Sequence, residues 1–226
     1  MNQSTRNPVD PGVNPDPEVA VFAKGTGINF LGKTLGRGIH LFTQVLLARL
    51  LGTAGYGLYA IGWNIMRAVD LFAPLGLDKG VIQMGVLHWN KDPVKFKTVI
   101  RSSITISLLT GSFFGMVFFL SAPWIANLFG KPSLLPVFRL FAIAFPVASG
   151  LRVAASTTRI TKQMRFSIIS EELGQPLTNL ILLLAFYLLG WGIAGSVGAA
   201  VASFIFGFSI ALYYVWKLFF RDTSDR

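Results

Sequence analysis

Lys33, Arg37, His40 and Gln44 recur at intervals of four, three and four residues inside a stretch that is otherwise apolar. On a helix this spacing gathers all four onto one narrow stripe. A second set follows at Asn64, Arg67 and Asp70, with Asp78 and Lys79 beyond a Pro-Gly break. Two guanidinium groups and an ammonium on adjoining helices suit the gripping of an anion. A guanidinium offers phosphate oxygens two parallel hydrogen bonds, whereas an ammonium acts as a point charge. Arg67 and Asp70, three apart, are spaced for a local ion pair. Glu171 and Glu172 open a later apolar stretch, where acids suit a helix N-terminus or could serve ion coupling. His40, taken singly, reads as a packing residue more than a proton carrier.

Other chemistries lack their residues. The chain has no Cys and only two His. Disulfides, thiolate metal sites and cysteine nucleophiles are therefore excluded, and a zinc hydrolase would be hard to build. The connecting loops are short, which argues against catalytic acids or bases in a sizeable loop, so no enzyme and no cofactor is expected. Gly27–Thr34, GINFLGKT, matches the phosphate-loop pattern letter for letter. That pattern needs a preceding strand and a loop of open amides, and here a Pro-rich segment precedes and an apolar run follows.

The elements that must carry these residues are membrane helices. The 226 residues are 53% hydrophobic and 13% charged, with mean hydropathy +0.59. A soluble domain carries about 25% charged residues, so this balance points to lipid. The net charge of +10 is then an orientation signal, with no nucleic-acid partner expected. Six apolar stretches run approximately over 28–51, 56–86, 104–125, 134–155, 168–189 and 192–218. The predicted fold is an all-α bundle of about six transmembrane helices. Pro74 and Gly76 should break the second stretch, and Pro146 and Pro176 could bend the fourth and fifth. Residues 1–26 read as a disordered cytoplasmic tail, 27–220 as the transmembrane unit and 221–226 as a cytoplasmic end, with no cleavable signal peptide.

A charge this deep in a span costs about 2.5–3.5 kcal/mol on the insertion scale. The stripes on the first two helices should therefore face a bundle interior or a watery cavity, while other helices face lipid. Placing the N-terminus inside puts thirteen Lys and Arg on the cytoplasmic side, against Arg49, Lys131 and Arg139 outside. Both termini are then expected in the cytoplasm under the positive-inside rule. Small residues four apart at Gly32/Gly36, Gly76/Gly80 and Gly111/Gly115, and along 192–207, should mark close helix contacts.

The segment 48–60, ARLLGTAGYGLYA, resembles the first extracytoplasmic turn of polysaccharide-biosynthesis membrane proteins, the Wzx-type oligosaccharide flippases, relatives of the multidrug and lipid II exporters. PLGLDKG at 74–80, WIANLFGKP at 124–132 and FRLFAIAFP at 138–146 are compatible with it. Members carry two related lobes, and this chain resembles the first. The resemblance implies a flippase in a bacterial or archaeal plasma membrane. It would move a polyprenyl-pyrophosphate-linked oligosaccharide outward for surface polysaccharide, O-antigen or lipopolysaccharide assembly, with Lys33, Arg37 and Arg67 at the pyrophosphate. Expected partners are that lipid-linked substrate, membrane lipids, and a second lobe or a homodimer partner. The alternatives are a cation-coupled multidrug exporter of the same fold and a non-transporting half-transporter or scaffold subunit.

Overall fold

The computed structural model describes residues 17–88, 92–161 and 164–221. Most of the expected tail (1–16), Lys91, Lys162 and most of the C-terminal end lie outside the described residues. Helix α1 begins at Pro17, so residues 17–26 extend the first helix back into the stretch expected as tail. Proline suits that first position, since its missing N–H has no helical acceptor there.

The chain then forms α1 (Pro17–Asp70), α2 (Leu77–His88), α3 (Pro93–Leu128), α4 (Leu134–Ala142) and α5 (Ala144–Thr158). After a 3₁₀ turn come α6 (Met164–Ser167), a π-helical segment (Ile168–Gly174), α7 (Gln175–Leu188) and α8 (Gly192–Trp216), which ends in a π turn. No strand occurs among the described residues. Phe30–Asp70, Pro93–Leu128 and Gly192–Arg221 are each long and apolar enough to cross a membrane, and α4 with α5 adds a bent fourth.

Helix α1 is two arms. Gly52 has φ 67° and ψ 179°, a conformation essentially confined to glycine. His40 and Trp63 stand on either side of it with rings 5.7 Å apart. On a straight helix their separation would be about 35 Å at 1.5 Å per residue. The chain therefore folds back at Gly52, within the segment expected to form the first turn. The expected break of the second stretch is also present: the helix stops at Asp70 and resumes at Leu77, with Pro74 between and Gly76 at φ 76°. α6, the π segment and α7 join without interruption from Met164 to Leu188. With the two arms of α1 counted, and α2 taken as continuing the second, the described residues form six rods.

Helix α3 shows what solvent surrounds the bundle. Its buried stripe is mostly small (Ser103, Ser107, Gly111, Gly115, Ala122, Ala126). Its outward stripe is large, with Met116 66%, Leu120 70% and Trp124 71% exposed. Small residues inside and bulky apolar ones outside suit packing in lipid, where close backbone approach replaces hydrophobic burial as the driving force.

Two prolines shape the rods that face the interior. Pro146 has no N–H for the Ala142 carbonyl one turn back, and α4 and α5 bend by 41° there. Pro176 likewise leaves the Glu172 carbonyl without its helical donor, and here the rod widens into the π segment. Each freed carbonyl meets a glycine on a neighbouring helix. A β-carbon on Gly115 would lie 2.8 Å from the Ala142 oxygen, and one on Gly36 would overlap the Glu172 oxygen. Gly32/Gly36 and Gly111/Gly115 thus make the close contacts expected of them. Gly76 and Gly80 do not: a β-carbon on either would meet open space, because Gly76 serves the turn.

Candidate functional site

Where the arms of α1 face α5, the π segment and α8, the bundle forms an open cavity of about 500 Å³. Its polar lining is Arg37, His40, Arg67, Asp70, Arg152, Glu171, Glu172 and Gln175. Gly36, Leu41, Ala148, Leu151 and Pro176, with Trp63 and Phe204, complete it. Six of the ten residues expected from the sequence are therefore gathered here: Arg37, His40, Arg67, Asp70, Glu171 and Glu172. Lys33, Gln44, Asn64 and Asp78 lie off the lining. Gln44 still touches the site from one turn away, its Nε2 3.5 Å from the His40 ring nitrogen.

Asp70 is the buried acid of the site. It closes the second arm of α1 at 1% exposure. The Arg152 guanidinium donates to its Oδ2 at 2.6 Å, across 82 residues of sequence. The expected local pair of Arg67 with Asp70 is thus replaced by one with α5. Arg67 instead lies over the Trp63 ring at 5.8 Å, a cation–π contact. Oδ1 of Asp70 has no hydrogen-bond partner among the described residues.

The π segment brings the other acids. Arg159 donates to Glu171 at 3.0 Å and to Ser167 at 2.8 Å, tying the end of α5 to the start of that rod. Glu172 makes no ion pair among the described residues, nor does Arg37. Gln175 donates to the Ser203 hydroxyl at 2.9 Å and anchors the rod to α8.

One expectation is corrected by this lining: the other helices do not face lipid alone, because α5 and the π-containing rod supply Arg152, Glu171, Glu172 and Gln175. The lining mixes charges, with Arg37, Arg67 and Arg152 beside Asp70, Glu171 and Glu172, the three acids already among the expected residues. With Asp70 held by Arg152 and Glu171 by Arg159, the groups left available for a ligand are Arg37, Arg67 and Glu172. Arg152 and Gln175 were not among the expected site residues. Arg152 already fell inside the fourth apolar stretch, and a charge placed there was a signal that it needed a buried partner.

The apolar side of the cavity is an aromatic cluster. Trp63 stacks on Phe204 with centroids 6.0 Å apart and on Tyr59 at 6.1 Å, and Phe141 meets it edge-on at 6.1 Å. Residues 27–34, the apparent phosphate loop, are uninterrupted helix in α1, with no open amides to cradle phosphate. No cluster able to hold a metal ion occurs among the described residues.

The family model described as polysaccharide biosynthesis protein matches residues 22–225 of this chain. The succinoglycan biosynthesis transport protein ExoT of Rhizobium meliloti (strain 1021) is 24% identical over 180 residues, 77% of this chain and 34% of that protein. The chain thus spans about a third of the length of this relative. No solved structure matches it.

Proposed function

Since the chain belongs to the polysaccharide biosynthesis protein family, we propose that it forms one lobe of a transporter that flips a polyprenyl-pyrophosphate-linked oligosaccharide across the plasma membrane. The observation that carries this reading is the pair of guanidinium groups, Arg37 and Arg67, on the lining of one cavity, neither of them in an ion pair among the described residues. A pyrophosphate entering there would exchange hydration for charge-assisted hydrogen bonds from both. The buried Trp63–Phe204 stack forms the apolar wall of that cavity. Binding between helices near the middle of the bilayer is the general transporter arrangement. A second lobe, or a second copy, would supply the facing wall, and both termini would lie in the cytoplasm.

Arg37→Ala combined with Arg67→Ala tests the cargo. In a strain lacking its own flippase, the complete transporter carrying both changes should reach the membrane at normal levels and fail to restore surface polysaccharide. Lysine at both positions should restore part of it, because charge returns without the fork. Full restoration by the alanine pair would overturn the reading. Orientation is tested by cysteines at Lys131 and Lys97. The first should be labelled by an impermeant reagent on intact cells and the second shielded.

A second reading rests on Glu172, a cavity acid outside any ion pair among the described residues. A cation-coupled exporter of the same fold would use it. Glu172→Gln would then abolish coupled export of a cationic dye, whereas a pyrophosphate flippase would keep its activity.

A further inference from the structure

On the outward faces of α3 and α4 lies a second cavity of about 450 Å³, lined by Phe119, Leu135, Pro136, Arg139, Leu140 and Ile143. Five of these six are apolar; four come from α4, and Ile143 follows at its C-terminal end. The trough is open to the surroundings: Phe119 is 42% and Ile143 57% exposed. Arg139 stands over the Phe119 ring at 5.2 Å, so its guanidinium is tied to one wall of the groove.

Arg139 has no carboxylate partner among the described residues. The sequence explains why: no Asp or Glu occurs between Asp92 and Glu171, so α3, α4 and α5 carry no acid. An exposed cation fixed beside an apolar trough, on a face that meets lipid, is complementary to one kind of molecule. That molecule has an acyl chain and an anionic head.

We propose that this groove is a binding site for an anionic phospholipid, its acyl chain along Phe119, Leu140 and Ile143 and its phosphate on Arg139. Arg139 lies five residues into α4, about 8 Å from the helix start at 1.5 Å per residue. A long side chain at that depth reaches the headgroup region. The site is separate from the central cavity and does not depend on what that cavity carries.

The test places a reporter in the groove. Phe119→Trp keeps an aromatic face under Arg139 and adds fluorescence that is read by difference from the parent protein. The full chain is placed in nanodiscs of fixed phosphatidylglycerol and phosphatidylcholine content, with bromine carried on the acyl chains of one lipid or of the other. Brominated phosphatidylglycerol should quench the reporter in preference. The local enrichment should be about fivefold, as expected of one basic residue near the surface. Arg139→Gln should reduce that preference to parity, Arg139→Lys should retain most of it, and inorganic phosphate should not compete. Equal quenching by the two lipids in the reporter protein would overturn the proposal. So would a preference that survives Arg139→Gln unchanged. The first comparison stands even if a substitution at Arg139 prevents folding.

Discussion

Pro146 and Pro176 introduce the same defect into two rods and are handled in opposite ways. At Pro146 the rod bends by 41°, and the bend is closed over by α3. There Gly111 lies against the Phe145 carbonyl and Pro146 itself, and Gly115 against the Ala142 carbonyl. At Pro176 the rod stays continuous, takes a wider turn, and meets Gly36 beside the charged cavity. One half of the bundle is thus held by dry backbone contact. The other is held by ion pairs, Asp70–Arg152 and Arg159–Glu171, around a space that admits a ligand. Packing gives one geometry, whereas ion pairs around a cavity can be exchanged for others. The difference places close packing where α3 meets α4 and α5, and ion pairing where α5 meets α1 and the π segment.

The largest effect should come from the ionic half. Asp70→Ala removes the partner of a largely buried arginine, a change worth about 3–5 kcal/mol when the stranded charge is fully enclosed. Arg152 keeps 22% side-chain exposure, so the loss should fall near the lower end, read as a drop in the unfolding transition of the detergent-purified protein. Asp70→Asn should cost less. If Asp70→Ala melts with the wild type, the ionic half does not depend on this pair.

Next come the glycines. Gly111→Leu would press on backbone atoms from two residues at 2.8 Å, and overpacking of this kind costs about 1–3 kcal/mol. Gly36→Ala would overlap the Glu172 carbonyl oxygen beside the cavity, so it should also cost stability, and if the proposed transport holds it should reduce transport more. Parallel melting and complementation assays would break the comparison if the two variants lost both properties in equal proportion.

The prolines themselves should differ in the size of the consequence. Pro146→Ala returns a donor to the Ala142 carbonyl and favours a straight rod that α3 cannot accommodate, so stability should fall by about 1 kcal/mol or more. Pro176→Ala supplies the Glu172 carbonyl within a rod that is already straight, and should be close to neutral in melting. Slower amide exchange across 168–177 would show the π segment tightening.

The smallest effect lies outside both halves, at the start of α3. Asp92 accepts from the backbone N–H of Lys95 at 3.1 Å and of Val94 at 3.2 Å. These bonds, the Lys95 amide first, hold its carboxyl below its ordinary value of 3.8. A carboxylate lowered in the folded state adds stability that is present above 3.8 and is lost as pH falls through the lower folded value. Asp92→Ala should therefore narrow the gap between melting at neutral pH and melting below 3.8. An unchanged gap would remove Asp92 from the account.

Much of this arrangement is written locally. Arg37, His40, Arg67 and Asp70 declare themselves because a charge or ring nitrogen in an apolar run needs an interior to face. Gly111 and Gly115 do so by spacing, but the identical spacing of Gly76 and Gly80 marks a turn, since four-residue intervals do not separate contact from bend. Lys33 and Gln44 sit on the expected stripe yet miss the cavity, which is shorter than the stripe. Asp70–Arg152 had no local signature, because a partner 82 residues away is chosen by how rods assemble. Arg152 stood near the end of its stretch and was counted as a flank. The π segment was equally silent: IISEELG carries nothing that distinguishes a widened turn from an ordinary one before its neighbours are placed.

The reversal at Gly52 also bears on how the protein is made. It ties the two arms of α1 into one helical hairpin, with Trp63 lying back on His40. If that hairpin forms during synthesis, the cations of the first arm would enter the bilayer beside an aromatic wall, before α5 and the π segment arrive. Substituting Gly52 would impose a backbone conformation that L-residues resist, and the damage would fall during insertion: misoriented or degraded nascent chains, with no defect attributable to the finished cavity.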